Sequence, residues 1–321
     1  MAARTQSVRC HQVAAAPRTG RVENLLLTPS GENDLRCGSP AACDQPARDD
    51  LILLRQAATG TPPVRLLAPG EPDARIRYRW AVGHHAAFGV WRLLAARLRT
   101  IADTASPAGS AITEAARLYD VYSVLFLYTS SCSPERYDAT VRADMIACDP
   151  AFSGTWSRDH EAVPALMHRM DEAHDAGLTR EIKRAARLNG QIHMAVAKKL
   201  VPEGVSLLQQ EGGPPHRPAS AEGDLYDEFF HVRRTATCRC AFSAQILRRL
   251  TQVATDMAHH GLHSSDDPLP GLGVKAASGL RRIESSAHQQ LLHLAALLAS
   301  ETCRADTGRR GHAGSSFSTH V

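Results

Sequence analysis

The sequence predicts an all-α fold, and three observations carry that expectation. Ala, Leu and Arg are abundant while aromatic residues make up only 5% of the 321-residue chain, a composition that leans helical. Apolar residues recur at helical spacing over most of residues 78–208, and no alternating strand pattern interrupts that stretch. Capping serines, threonines and glycines fall where the periodicity starts and stops. Hydrophobic residues at 43% and charged residues at 22% are ordinary globular usage and suffice for a sizeable core.

Residues 1–75 carry short apolar bursts, Leu25–Leu27 and Leu51–Leu54, in an Arg-, Ala-, Pro- and Gly-rich background. They are expected to be poorly ordered apart from a short helix around Asp50–Ala58. The first long helix is predicted over about Tyr78–Ala102, with Trp80, His84, Phe88, Trp91, Ala95 and Leu98 on one face and arginines on the other. A second spans about Ala111–Thr129, its stripe formed by Ile112, Ala115, Tyr119, Tyr122 and Phe126. Ser133 before Pro134 reads as a capping serine ahead of a first-turn proline, opening a helix that ends near Ala147. A fourth covers about Asp159–Ala176, where His160, Val163, Met167, Met170 and His174 share a face and Gly177 stops it. Thr179 caps a fifth, which continues to about Leu200, ahead of Pro202. Residues 209–224 form a Gly/Pro-rich loop too long to be a mere connector, hence a lid or a disordered insert. Then come Leu225–Arg234, helices near Ala241–His260 and Ala276–Ser300, and a small polar tail after Cys303 that is expected to be disordered.

Several function classes drop out. A net charge of +4 is too mild for a nucleic-acid protein. The longest apolar runs, Val121–Tyr128 and Leu294–Ala299, fall far short of the ~18 residues of a membrane span. Met1–Gly20 has arginines but no apolar h-region, so a cytoplasmic chain is expected. None of the eight cysteines forms a C-x-x-C pair, which fits reduced thiols. No G-x-G-x-x-G, Walker loop or G-x-S-x-G motif appears, removing the common nucleotide and serine-hydrolase readings.

Histidine is the outlier, at 16 residues. In RAARLNGQIHMAVAKKL, His193 has Asn189 and Gly190 one turn before it and Val196 and Ala197 one turn after. Glycine in mid-helix costs about 1 kcal/mol relative to alanine, and room for a flat group against the helix is one candidate offset. A hydrogen-bonded core histidine beside a helix-packing glycine fits the same residues. In RWAVGHHAAFGVW, His84 lies inside the apolar face and His85 toward its edge. One buried and one solvated histidine is the ordinary reading of such a pair. His160, in WSRDHE, begins the apolar stripe of its helix. Arg142 follows Tyr137 in SPERYDATVR, where it is either a bidentate partner for a carboxylate or a surface arginine snorkelling over the bundle. His259-His260-x-x-His263 with Asp266-Asp267 has ligand types but runs out of its helix at Gly261 and lacks the H-E-x-x-H arrangement.

Taken in order, RWAVGHH, LYTSSCSPERYDATVR, WSRDHE, the helix containing QIHMAV, and YDEFFHVRR are more specific together than singly. Over about residues 78–235 the chain resembles the histidine-ligated haem enzymes that hydroxylate tyrosine or 3-methyltyrosine in antibiotic biosynthesis, distant relatives of tryptophan 2,3-dioxygenase. The resemblance implies an all-helical bundle enclosing a haem, with His193 as the proximal iron ligand. His85 matches the distal histidine and is preferred to His84, because it stands six residues before Trp91, a spacing similar to that of tryptophan dioxygenase. Arg142 matches the position that holds the substrate carboxylate, with Tyr137, Tyr128 and Arg158 as further substrate contacts. Gly190, Ala197 and Trp91 are expected against the cofactor. His160 matches the second histidine of an H-x(n)-H-x-x-x-C motif found in the methyltyrosine branch; four residues after His193 stands Ala197, not a cysteine, so a thioether at that point is impossible and non-covalent haem b is expected.

The expected domains are a poorly ordered segment at 1–75, a haem-binding catalytic domain at 76–240, a C-terminal helical extension at 241–303 and a disordered tail at 304–321. The expected reaction is ring hydroxylation of a free aromatic amino acid, L-tyrosine to L-DOPA, with hydrogen peroxide or dioxygen, in a protein with no nucleic-acid or membrane partner, as a monomer or homodimer. Ring-opening dioxygenation of an indole is the competing enzymatic reading. A cofactor-free helical binding protein is the reading from another class.

Overall fold

The computed structural model describes residues 20–29, 37, 40–61, 68–149, 157–202, 220–262 and 269–307, without the side chains of 40–46, 220–222 and 300–307. The chain is all-α. Its elements are β1 (Leu25–Leu27), α1 (Pro40–Ala58), α2 (Pro72–Ala102), α3 (Gly109–Thr129), α4 (Pro134–Tyr137), a π-turn (Asp138–Arg142), α5 (Ala143–Cys148), α6 (Ala162–Ala173), α7 (Ala176–Leu200), α8 (Ser220–Phe229), β2 (Val232–Arg234), α9 (Arg239–His260) and α10 (Val274–Thr307). No helix among the described residues is long and apolar enough to cross a membrane.

Local chemistry sets most of these boundaries. Glu71 caps α2 by accepting from the Asp73 and Ala74 amides ahead of the proline at its first turn. Ser133 caps α4 as the sequence suggests, accepting from the Arg136 amide. The fourth and fifth helices differ from expectation. The chain leaves α6 at His174, whose Nε2 donates to the Ile101 carbonyl at 2.8 Å. Asp175 then caps α7 by accepting from Gly177 and Leu178. An aspartate at a helix start outcompetes glycine as a stop, so Gly177 lies inside the first turn of α7 and Thr179 is not its cap.

The segment before residue 75 holds more structure than its composition suggests. Residues 1–19, 30–36 and 62–67 lie outside the described residues, but α1 extends well upstream of Asp50 and β1 pairs in parallel with β2, Leu25 opposite Val232 and Leu27 opposite Arg234. The Gln245 side chain of α9 accepts from the Leu26 amide and donates to its carbonyl, at 2.9 and 3.2 Å, which satisfies the outer edge of β1. Three-residue strands are too short to show an alternation, which is why neither was legible.

Helix α9 lies at the centre, although the sequence reads as a peripheral extension from residue 241. Every residue from Cys240 to Met257 is buried, with α1, α2 and α10 packed around it. Two of its buried charges are paired, Arg248 with Asp50 and Asp256 with Arg79, each at 2.6 Å, while Arg249 donates to the Gln252 side chain and the Glu23 carbonyl. The other side of α2 meets α3 and α6, and α3 meets α7. Gly83 permits the α2–α3 approach, because a Cβ there would lie 2.3 Å from the Thr129 side chain. Helix α10 continues to Thr307, past Cys303, where the polar tail is expected to start, and residues 308–321 lie outside the described residues.

Candidate functional site

A cavity of about 250 Å³ opens between α2, α3, α7 and α8, lined by His84, Trp91, Tyr122, Phe126, His160 and His193 together with Asn189, Ser157 and Tyr226. The α2 contribution follows from helical spacing: Gly83, His84, Ala87 and Trp91 lie along one face. An aromatic file crosses the site. Trp91 packs edge-on to both Tyr122 and His160 at 5.2 Å, Tyr122 meets Phe126 at 4.4 Å, and Phe126 stacks on the His193 ring at 4.5 Å and 15°.

Three imidazoles therefore share one aromatic cavity, and burial keeps each neutral. Desolvation pushes His84 down to about 4, against its backbone hydrogen bond to Trp80. Desolvation, helped by the neighbouring His193, pushes His160 down to about 4. Desolvation also lowers His193. His193 is nevertheless exposed on its outer side, so it stands at the mouth of the cavity. Among the described residues neither the His160 ring nor the His193 ring makes a hydrogen bond, although the His160 backbone bonds Ser157 and Val163, which leaves ring nitrogens available to a group outside the chain. Asn189, one turn before His193, is buried and donates to the Ser123 hydroxyl at 3.1 Å.

Of the adjacent pair, the structure brings His84 rather than the expected His85 to the cavity. His84 lines the cavity, stacks on Phe230 at 4.5 Å, and engages the Trp80 carbonyl through Nδ1 at 2.6 Å. A carbonyl only accepts, so Nδ1 carries the proton and Nε2 the lone pair. His85 is fully buried and does not line the cavity; its Nε2 donates to the Phe230 carbonyl. One residue of helix rotation, about 100°, separates the two rings. Trp91 lines the cavity, and seven residues of helix bring His84 back to within about 20° of it whereas six leave His85 about 120° away, so His84 is the ring that meets the cavity.

The other expected contacts are dispersed. Arg142, on the π-turn, lies 3.5 Å from Asp138 and does not line the cavity. Tyr137 packs at 5.8 Å from Trp80, which in turn packs on His84 at 4.3 Å; burial pushes its phenol up to about 12. Tyr128 is buried beneath the Arg79 guanidinium, 5.0 Å from its ring, and does not line the cavity. Arg158 is held by Asp224 and Asp227 at 2.7 and 3.1 Å, so its fork is engaged with the protein's own carboxylates. Gly190 and Ala197 are exposed on either side of His193, and a Cβ at Gly190 would meet nothing within 4 Å. Trp156, His263, Asp266, Asp267 and residues 209–219 of the Gly/Pro-rich loop lie outside the described residues. His260 donates from Nδ1 to Asp256 at 2.7 Å, and among the described residues no three ligand-type side chains converge on one point.

Ser157, Asn189 and Tyr226 line the cavity without having been marked as site residues. Asn189 was legible as the residue four before His193, on the same helix face. Tyr226 was not, because α8 reaches the site only through a tertiary contact.

Neutral burial of His84 and His160 has a sign in the stability of the protein. Both rings have an ordinary value of 6.5 and are lowered to about 4 in the fold. Between those values the unfolded chain binds more protons, so stability is full above about pH 6.5 and lost as pH falls toward 4, by up to about 3 kcal/mol per ring. Thermal melts from pH 7 to 4.5 should show the drop, and it should shrink in His84→Gln/His160→Gln. An identical pH slope in both proteins would contradict the burial.

The model of the family described as SfmD 3-methyl-L-tyrosine peroxygenase matches residues 27–187. The match runs from the end of β1 into α7, covers His84, His85, Arg142 and His160, and stops short of His193. No curated protein matches the chain.

Proposed function

Since this chain belongs to the SfmD 3-methyl-L-tyrosine peroxygenase family, we propose that it is a haem-dependent hydroxylase converting L-tyrosine to L-DOPA with hydrogen peroxide. Membership makes it an oxidoreductase acting on an aromatic amino acid; the substrate, the oxidant and haem b are our reading. The observation that carries this reading is the convergence of three neutral imidazoles, His84, His160 and His193, on one aromatic-lined cavity.

The residues present fit a haem. His193 offers an uncharged imidazole at the cavity mouth, and the space over Gly190 one turn away is open. Because His193 is exposed at the cavity mouth, a group held by it would have room beyond the 250 Å³ of the cavity itself. His193 would hold the iron, with Gly190 and Ala197 as the small residues flanking it and Trp91 in the cavity wall. With Ala at 197, the attachment is non-covalent. Bound haem supplies the oxidising power for transferring a peroxide oxygen to an aromatic ring.

The chain's own residues supply orientation and proton traffic. His84 accepts a proton at Nε2 from hydrogen peroxide and returns it to the departing oxygen, its Nδ1–H still fixed on the Trp80 carbonyl. Trp91, Tyr122 and Phe126 present flat apolar surface to an aromatic substrate ring and keep water from it. Arg142 is kept as the proposed carboxylate partner; it connects to the cavity through Tyr137 and Trp80.

Protein expressed with haem supplementation should purify with a Soret band that shifts on adding L-tyrosine, and peroxide should then yield a catechol. N-formylkynurenine from tryptophan would instead indicate the indole dioxygenase. A colourless protein despite ample haem would remove the cofactor reading and favour a binding role.

A further inference from the structure

Two aspartates, each adjacent in sequence to a cavity residue, are tied together by one arginine that the reaction does not use. Asp159 precedes His160, and Asp227 follows Tyr226; both neighbours line the cavity. Arg234, on β2, donates to both Asp159 oxygens at 2.9 Å and to both Asp227 oxygens at 2.9 and 2.6 Å. The two carboxylates are nearly inaccessible, with side-chain exposures of 1% and 9% against 14% for Arg234. Burial opposes the charge on Arg234, but its hydrogen bonds to Asp227 and Asp159 more than offset this and hold it firmly ionised. Arg158 adds a second link to Asp227, at 3.1 Å, and Arg92 approaches Asp159 at 3.5 Å.

We propose that Arg234 is the positioning residue of this site, its planar fork fixing the segment that carries His160 against the helix that carries Tyr226. This rests on the hydroxylase reading for its catalytic consequence but not for its geometry. Residues 157–160 and α8 are 60 or more positions apart in sequence and enter the cavity wall from different directions. One guanidinium satisfying two carboxylates sets their separation, as a single-point ammonium cannot. The same turn is strained: His231, between α8 and β2, adopts φ 52°, a cost that persists only where the surroundings hold it. Those surroundings include the Phe230 carbonyl on His85 and the Phe230 ring on His84.

The test is Arg234→Lys, which keeps the charge and loses the fork, with Asp227→Asn as a second variant should the first fold poorly. Arg282→Lys, whose partner Asp120 lies on α3 and whose side chain is 47% exposed, is the control. Nitration of tyrosines by tetranitromethane, mapped by mass spectrometry on the haem-free protein, should rise about tenfold or more at Tyr226 and stay unchanged at Tyr119, which is buried elsewhere on α3. In the haem-loaded enzyme, kcat/KM should fall about 10–100-fold, as for outer-shell residues generally, and Arg282→Lys should match the parent. Equal nitration rises at Tyr226 and Tyr119 would reveal global loosening, and no rise at either would show that the fork positions nothing; both overturn the proposal. If the parent protein proves inactive, the hydroxylase reading fails while the nitration pattern still decides the role of Arg234.

Discussion

His193→Ala is expected to abolish the Soret band and to reduce hydroxylation by more than the ~10–100-fold that loss of an outer-shell partner costs. The reason is positional. His193 is the histidine that both lines the cavity and opens to the outside, and its lowered proton affinity leaves the ring neutral, as an iron ligand must be. Its stack on Phe126 fixes the ring plane, so the imidazole is pre-oriented. Met194, its neighbour on the same helix, is 68% exposed, and Met194→Ala should keep the band. Added imidazole should restore part of the band to His193→Gly by occupying the vacated position. A band that survives His193→Ala unchanged would move the ligand to His160, which shares the cavity.

Much of this site could be read from the chain before its fold was known, and the failures have physical causes. The α2 and α3 stripes place Trp91, Tyr122 and Phe126 inward because helical periodicity alone decides which face is buried. The same reasoning puts His84 on the apolar face of α2, and the structure places it in the cavity. The six-residue spacing taken from the resemblance favours the other ring, whereas helical rotation does not: His84 lies within about 20° of Trp91 around α2 and His85 about 120° away. Arg158 and Tyr128 are expected as substrate contacts from the resemblance alone. Their partners, Asp224 and Asp227 for one and the Arg79 guanidinium for the other, come from helices remote in sequence. The central position of α9 was hidden for the same reason: Arg248, Arg249 and Asp256 give it a polar look, and the partner Asp50 lies 198 residues away.

His84→Gln is expected to retain haem and lose hydroxylation by about 10²–10⁴-fold, the usual worth of a positioned acid/base group, or roughly 3–5 kcal/mol of barrier. The expectation follows from the tautomer. With Nδ1–H committed to the Trp80 carbonyl, Nε2 is the ring's acceptor, and desolvation to a value of about 4 keeps it unprotonated at neutral pH. Glutamine preserves bulk and hydrogen bonding but cannot shuttle a proton. His85→Ala acts through a different route. It removes the buried bond to the Phe230 carbonyl, leaving that acceptor unsatisfied at a cost of about 1–3 kcal/mol in stability, and it should lower Tm with a much smaller effect on turnover per haem. The pH profile separates the two, because only loss of the proton carrier should flatten the acid limb of kcat. If His85→Ala destroys turnover at unchanged Tm while His84→Gln is nearly normal, the proton carrier is His85, and α2 must rotate when the cofactor binds.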